Sequence, residues 1–407
     1  MREPRQVCVR LTKALERTVS SGHPWIFRDA LQPFSAQPGA CVTVLDRKGR
    51  FLARGVSEVG PIAVRVFTRE DQAIDGTLFS TRLRRAFELR DRLGLVDTTA
   101  LRWCHGEADE LPGMVCDAYG GFAVVQLDGE GIVRWKEPLL EALIPELRAR
   151  NVTSVLGKTG RRGAREVAVW HGDAPPERIR VREYGMTLVV DLLRGQKTGL
   201  FLDHRESRRI VRALAAGMRV LNLYGYTGAF SLAAGLAGAC EVVTVDVAAS
   251  ALALAHENWT ANGLASGIHR TIARDVPELL EDVVRDRHSY ELVIADPPSF
   301  APNEAARAAA LGSYRALHRS CLSLLRPGGY YLAASCSSHV DAHAFEGTLL
   351  AAAHELRCVL QVVARWGAAP DHPQLLAFPE GNYLKVVLVR VVEGRSDHHT
   401  FTDPMVA

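Results

Sequence analysis

At 407 residues the chain is too long for a single hydrophobic core, so two or three domains are expected. Its 47% hydrophobic and 23% charged residues exclude a disordered or fibrous chain. The net charge is only +3, yet residues 1–100 hold 17 Lys and Arg against 11 Asp and Glu, an excess of +6 that favours an anionic partner without establishing one.

In chain order, the N-terminus "MREPRQVCVRLTK" carries charges throughout and no apolar core, so it is not read as a signal peptide. Short alternating runs follow ("CVTVLD", "RFLARGV", "IAVRVF"), punctuated by Pro and Gly, and predict a small β-rich module over residues 1–75. "LFSTRLRRAFELRDRLGL" then places Leu83, Phe87, Leu89 and Leu93 near helical spacing. Strand-like "GMVCDAYGGFAVVQL", a helix at "WKEPLLEALIPELRAR", and strands at "TSVLGK" and "REVAVW" complete a mixed α/β domain over 76–185. From 186 to 395 nearly all-apolar strands ("MRVLNLY", "EVVTVDV", "ELVIADP", "GYYLAAS", "NYLKVVLVRV") alternate with helical stretches. That alternation predicts a doubly wound, Rossmann-like α/β domain with a parallel sheet covered on both faces, and residues 396–407 form a tail. Val220 to Cys240 is uncharged and could pass for a membrane span, but "YGYTG" breaks it into strand, turn and helix. Eight widely scattered cysteines without a C-x-x-C pair suggest no zinc site and no disulfide framework, which fits a reducing cytoplasm.

The chemistry concentrates in the last domain. The first βα unit, "VLNLYGYTGAFSLAAGLAGACEVVTVD", has Gly225 and Gly228 at the strand-to-helix turn, and Asp246 follows Gly225 by 21 residues at the end of the next strand. A carboxylate there can take both hydroxyls of a ribose. G-x-G-x-x-G is absent and Tyr226 and Thr227 are bulky for a pyrophosphate, so a nucleoside ligand such as S-adenosylmethionine (SAM) fits better than NAD. Asn222, Tyr224, Thr227, Gly228, Val247 and Ser250 surround this turn and are candidate cofactor contacts. In "IARDVPELL", Asp275 and Val276 end a third strand, where a carboxylate could accept the adenine amino group. In "ELVIADPPSFAPN", Asp296 ends a fourth strand, and Pro297 and Pro298 remove two backbone donors and stiffen the loop towards a planar substrate. Upstream, "GQKTGLFLDHRESRR" gathers Gln196, Lys197, Thr198, Phe201, Asp203 and Arg205, either as a binding loop or as the capped entrance of an amphipathic helix. "KTGRRGAR" (Lys158, Arg161, Arg162, Arg165) is either a phosphate contact or a solvated face. In "LAASCSSHV", Cys336 sits between two serines at a strand end, taken alone a small buried thiol rather than a nucleophile.

Several of these stretches together resemble one family. "GQKTGLFLDHRESRR", "VLNLYGYTGAFSLAA", "ADPPSFA", "SCSSH", "DHP" and "FPEGNYLKVV", with "GHPWIF", "RGV" and "GEADELPGMVCDAYG", are similar to the bacterial 23S rRNA large-subunit methyltransferase I family across essentially the whole chain. Relatives more often read "LNLFCYTGGF" around Tyr224 and Gly225, and tend to carry an aromatic residue where this chain has Pro277. The resemblance implies an N-terminal PUA domain that binds RNA, a central α/β domain, and a class I methyltransferase domain forming 5-methylcytosine with SAM. It also implies Cys336 as the nucleophile that adds to cytosine C6, with Asp296 on the cytosine edge or the methionine end of SAM. Lys158, Arg161, Arg162, Pro297 and Pro298 would then face the RNA. The expected partner is 23S rRNA or a large-subunit precursor; a homodimer is compatible, and no membrane or metal is expected. Two other readings remain open at this stage: a SAM-dependent N-methyltransferase acting on guanine or adenine, and a non-catalytic rRNA-binding assembly factor.

Overall fold

The computed structural model describes residues 7–159, 166–285 and 289–393. The chain divides into two compact units, one formed by residues 1–205 and 369–381, the other by 206–368 and 382–407.

Among the described residues, the first unit holds two five-stranded sheets with adjoining cores and a two-stranded one. Strands β1 (Val7–Arg10), β2 (Trp25–Phe27), β3 (Cys41–Leu45), β4 (Phe51–Ser57) and β5 (Ile62–Thr68), with the short helix α1 (Glu16–Ser20), build a five-stranded sheet in the order β1-β3-β4-β5-β2. An isolated bridge between Leu11 and Leu31 draws its two ends together. Val9, Ile26, Val42, Val44, Ala53 and Val64 fill its inside, as the alternation of the strands requires. Helix α2 (Gly76–Asp91) follows, started by Asp75, whose carboxylate accepts from the Leu78 amide. Its buried stripe is Phe79, Leu83, Ala86 and Phe87, whereas Leu89, expected on that face, is exposed.

The second sheet of this unit is assembled from β6 (Ala100–His105), β7 (Met114–Tyr119), β8 (Phe122–Leu127), β9 (Ser154–Thr159) and β10 (Glu166–His171), in the order β10-β9-β8-β7-β6. The helices α3 (Glu130–Val133) and α4 (Lys136–Arg148) lie between β8 and β9, and β11 (Ile179–Glu183) pairs with β12 (Met186–Val190) in a separate hairpin. Its core takes in Val56 and Phe67 from the first sheet, so the two modules share apolar contacts. Arg65 on β5 reinforces the joint, pairing with Glu107 at 2.6 Å and Asp128 at 2.9 Å.

The second unit opens with α5 (Arg205–Leu214), whose first residue still belongs to the first unit. It continues through β13 (Arg219–Leu223), α6 (Ala229–Leu236), β14 (Glu241–Asp246), α7 (Ala249–Ala261), β15 (His269–Ala273), α8 (Val276–Arg285), β16 (Tyr290–Ala295), α9 (Arg307–Ser323), β17 (Leu325–Ser335), α10 (Ala342–Leu356), β18 (Val359–Trp366) and β19 (Lys385–Glu393). The seven strands run in the order β15-β14-β13-β16-β17-β19-β18. β19 alone is antiparallel to its neighbours; every other neighbouring pair in the sheet is parallel, as the apolar runs implied. Strand order reverses between β13 and β16, the switch point outside whose carboxyl ends ligands bind in open α/β sheets. Among the described residues no helix is long and apolar enough to cross a membrane.

Candidate active site

At the carboxyl end of β13 the backbone is held in an unusual shape. Tyr224 (φ 57°), Tyr226 (φ 47°) and Gly228 (φ 73°) all lie in the left-handed region, which side chains other than glycine rarely adopt. Such a turn needs to be held from outside. The Asp246 carboxylate does part of this, one oxygen accepting from the Tyr226 amide at 2.8 Å and the other from the Ala248 amide at 2.8 Å. Beneath the turn runs a polar chain: Asn222 donates to Ser231 Oγ (2.9 Å), which meets Thr244 Oγ1 (2.6 Å), which in turn meets His269 Nε2 (2.8 Å). His269 stacks on Trp259 at 4.3 Å, and burial lowers its pKa to about 4, so the imidazole is neutral. A Cβ on Gly225 would stand 2.5 Å from Thr244 Cγ2, so only glycine lets the turn sit this close to β14.

These residues fit an adenosine group. Each Asp246 oxygen has a second lone pair after accepting its amide, which suits two vicinal hydroxyls. Val247, next to it, is 74% exposed, an apolar side chain that a flat ring would cover. Asp275 is exposed at the end of β15, where its Oδ1 accepts from the Glu278 amide, and Ser250 is exposed on the first turn of α7. Tyr224 is half-buried and Gly228 starts α6. Asn222, Thr227 and Val276 are different: their side chains are buried, with Val276 inside the main core, so they shape the crevice from within and only their backbone could meet a ligand.

The ends of β16 and β17 lie side by side, with Ala295 opposite Ala333. Asp296 is half-buried, Pro297 buried and Pro298 exposed. Ser337, fully buried, meets Ser299 Oγ at 3.1 Å and accepts from the Ala301 amide at 3.3 Å, which fastens the "DPPSFA" loop to the "SCSS" loop. Tyr314, from the middle of α9, places its hydroxyl 2.8 Å from Ser335 Oγ and 2.9 Å from Ser337 Oγ. Burial is the largest influence on that phenol and raises its pKa; the two serine bonds lower it, and an anionic Cys336 raises it again. Cys336 is thereby held between two anchored serines, half-buried, with Sγ 4.0 Å from the Pro297 carbonyl oxygen. His339, by contrast, is turned to Glu304 at 3.3 Å and is largely exposed.

The loop at 195–205 lies in the first unit, and most of its polar groups are used internally. Thr198, fully buried, donates to Asp117 Oδ2 at 2.6 Å and meets the Tyr119 hydroxyl at 2.8 Å; the same hydroxyl accepts from the Leu200 amide at 3.1 Å. Arg205 is fully buried and donates to Asp371 Oδ2 (2.8 Å) and the Ala100 carbonyl (3.0 Å). Asp203 is buried, with Lys197 Nζ at 3.1 Å, and that ammonium also lies 4.2 Å from the Phe201 ring centre. The side chains of Thr198 and Arg205 therefore anchor the loop rather than contact a cofactor, because their polar atoms point into the central domain. Gln196 is exposed and Lys197 and Phe201 half-exposed, so these keep the reach that a ligand contact needs.

Lys158 is corrected in the same way. It is 4% exposed, and its ammonium donates to the Gly195 and Lys197 carbonyls, which ties β9 to the loop and leaves it no solvent-facing charge for a phosphate. Arg161, Arg162 and Arg165 lie outside the described residues. Sequence reasoning missed four kinds of residue: Tyr314, the bonding roles of Ser335 and Ser337, the Asp117–Tyr119–Asp371 anchors, and Lys385. Only Lys385 carried a local signal, as the one charge within "YLKVVLV".

Comparison with known proteins agrees with this chemistry. A family model of S-adenosylmethionine-dependent methyltransferases matches residues 149–390, and a model of the PUA-like domain matches 9–69. Ribosomal RNA large subunit methyltransferase I from Erwinia tasmaniensis is 36% identical over 392 residues, covering 94% of this chain and 98% of that protein, and the Yersinia pestis protein of the same name matches equally. A putative SAM-dependent methyltransferase from Streptococcus mutans superposes with a TM-score of 0.85 at 23% identity, covering 95% of this chain and 100% of that one. A putative methyltransferase complexed with SAH gives the same values. With a SAM-dependent methyltransferase match over more than half its length and near-complete coverage by these relatives, the chain belongs to the ribosomal RNA large subunit methyltransferase I family.

Proposed function

We propose that the protein methylates carbon 5 of a cytosine in large-subunit rRNA, with Cys336 as the nucleophile. The observation that carries this reading is the pair of loops locked by Ser299, Ser337 and Tyr314, which sets the Cys336 sulfur beside the Asp296-Pro297-Pro298 loop. The names of the full-length relatives support rRNA as the substrate, and the PUA-like module supports RNA binding.

Cytosine C5 is a poor nucleophile. Addition of the Cys336 thiolate to C6 places the electron pair of the C5–C6 double bond on the ring, where C5 becomes enamine-like. Asp296 would hold the N3–N4 edge of the base. When bound, SAM supplies an electrophilic methyl group, with Asp246, Val247 and Asp275 holding the adenosine. A base then takes the C5 proton, the C5–C6 double bond re-forms, and the thiolate leaves. A stacked cytosine cannot reach Cys336, so the target is unpaired or flipped out. Action on rRNA and cysteines that form no disulfide fit the cytoplasm. A homodimer is part of the same proposal, resting on β18, the edge strand of the sheet, where Val359, Val362 and Val363 are exposed; light scattering that returns a monomer mass removes that part.

Bisulfite sequencing of rRNA from cells with and without the gene is expected to show one lost 5-methylcytosine. Cys336→Ala should abolish methyl incorporation, and RNA carrying 5-fluorocytosine should trap a covalent complex, because a fluorine on C5 cannot be taken by a base as a cation in the way a proton is. A Cys336→Ala protein with intact turnover points instead to methylation of a guanine or adenine nitrogen. Binding of rRNA without methyl incorporation by the wild type leaves only the assembly-factor reading.

A further inference from the structure

Lys385 begins β19 directly opposite Ser335, the residue before Cys336. A lysine is rarely buried without a reason, and this one is 7% exposed. Its ammonium donates to the carbonyl of Ser337, the residue after Cys336, at 2.5 Å, and to the Tyr383 carbonyl at 2.8 Å. Two of its three N–H donors are thus committed around the cysteine. Two acidic groups act on it, Cys336 and Asp341. Asp341 is already engaged: one oxygen caps α10 through the Ala344 amide at 2.8 Å, and the other is 3.6 Å from Arg307. Tyr314 faces the same spot through Ser337 and is protonated at neutral pH because burial raises its pKa. Cys336 is the other acidic group that acts on the ammonium.

We propose that Lys385 is a positioning residue that holds Cys336 as its thiolate and fixes the strand end on which the sulfur sits. The assignment rests on the reading of Cys336 as the nucleophile. As the Sγ–H bond breaks, the electron pair stays on sulfur and the proton passes to solvent, while Nζ keeps its three protons. The resulting ion pair lowers the thiol's pKa, as cations beside reactive cysteines do. Burial pulls Lys385 down to about 8, with Cys336 and Asp341 opposing a further fall, so the ammonium form prevails at neutral pH.

The test is the rate of iodoacetamide alkylation against pH on the full chain without RNA, read per cysteine by peptide mass spectrometry, with exposed Cys240 as the internal reference. In the wild type Cys336 should titrate at lower pH than Cys240. Lys385→Gln keeps a donor for the Ser337 carbonyl but removes the charge; it should move the Cys336 midpoint up by about one pH unit, roughly tenfold slower alkylation at pH 7, and leave Cys240 unchanged. Lys385→Arg should restore most of the difference. Wild-type Cys336 titrating no lower than Cys240, or a Lys385→Gln profile that overlays the wild type, overturns the proposal. The wild-type measurement needs no variant, so a misfolded mutant cannot rescue the idea. Because no RNA is present, this outcome is separate from that of Cys336→Ala turnover: intact turnover there sinks the cytosine reading even if Lys385 acidifies the thiol.

Discussion

The loop at 195–205 and the strand ends at 296–299 and 335–337 are both rich in polar residues, yet they use them oppositely. In the loop, Asp203 and Arg205 are buried and paired with charge, and outside it the buried Asp371 takes Arg205, the Arg102 amide at 2.8 Å and His372 Nδ1 at 2.9 Å. At the strand ends, mainly neutral hydroxyls fasten the backbone, with Lys385 beside them, and the proposed reactive groups Asp296 and Cys336 stay half-exposed. Buried charge sets shape at a high cost if one partner is lost, whereas hydroxyl anchors can be trimmed singly. The two regions should therefore fail differently when broken.

The largest effect is expected at Asp371. Burial opposes its charge, but His372 and Arg205 more than compensate and hold the carboxyl ionised. Asp371→Ala removes the nearer of two carboxylates that face buried Arg205, leaving Glu183 at 3.9 Å, and breaking such a pair typically costs about 3–5 kcal/mol. Chemical denaturation should show that loss. A variant of wild-type stability would mean the network is solvated after all.

Acid should produce the next effect, in the methyltransferase unit. His318 is buried, bonded through Nδ1 to the Tyr331 hydroxyl at 2.9 Å, and burial lowers its pKa to about 3; His269 is lowered to about 4. Both are depressed below the unfolded value near 6.5, so their neutral forms favour the fold above that pH, and stability drains as pH falls from there towards 3–4. At pH 5 His318 should account for about 2 kcal/mol of lost stability. Urea midpoints at pH 7 and pH 5 measure the loss, and His318→Phe should shrink the difference. An equal acid loss in that variant would place the effect elsewhere.

How far these regions could be read from sequence follows the same division. Asp246 and Asp296 end strands whose apolar runs are explicit, so their placement at one edge of the sheet came directly from pattern, whereas Asp275 follows the mostly polar strand "HRTIA". Cys336 needed the strand order as well, because only the pairing of β16 with β17 sets it against Pro297. The anchoring roles were invisible: Thr198 and Asp117 are 81 residues apart, Arg205 and Asp371 166 apart, and no local period connects them. A buried threonine and a ligand-binding threonine look alike in a string of letters. Tyr314 was hidden for a related reason, since an aromatic residue on a helix reads as core whether or not its hydroxyl has a task.

Tyr314→Phe tests the hydroxyl anchors at a smaller scale. It keeps the ring against Phe300 and Phe345 and removes only the bonds to Ser335 and Ser337. Because the two serines can partly satisfy each other, the stability loss should be about 1–2 kcal/mol. Turnover should drop more than SAM affinity, since the loosened loops carry Cys336 rather than the adenosine contacts. A change in SAM affinity with unaltered turnover would contradict that division of labour.

The smallest effect is expected at Val247, where nothing internal is at stake. Its side chain is 74% exposed and follows Asp246 directly, so it adds almost nothing to the fold. Covering such a side chain with a ring removes a few tens of Å² of apolar surface from water, worth about 0.5–1 kcal/mol. Val247→Ser should therefore weaken SAM binding by only a few-fold in calorimetric titration, with an unchanged melting temperature. Val247→Glu should weaken it further, by setting a second carboxylate beside Asp246 where both must lie against the ribose and adenine. Unchanged affinity in both variants would show that the adenosine lies elsewhere along the strand ends, and would shift the cofactor contacts towards Asp275.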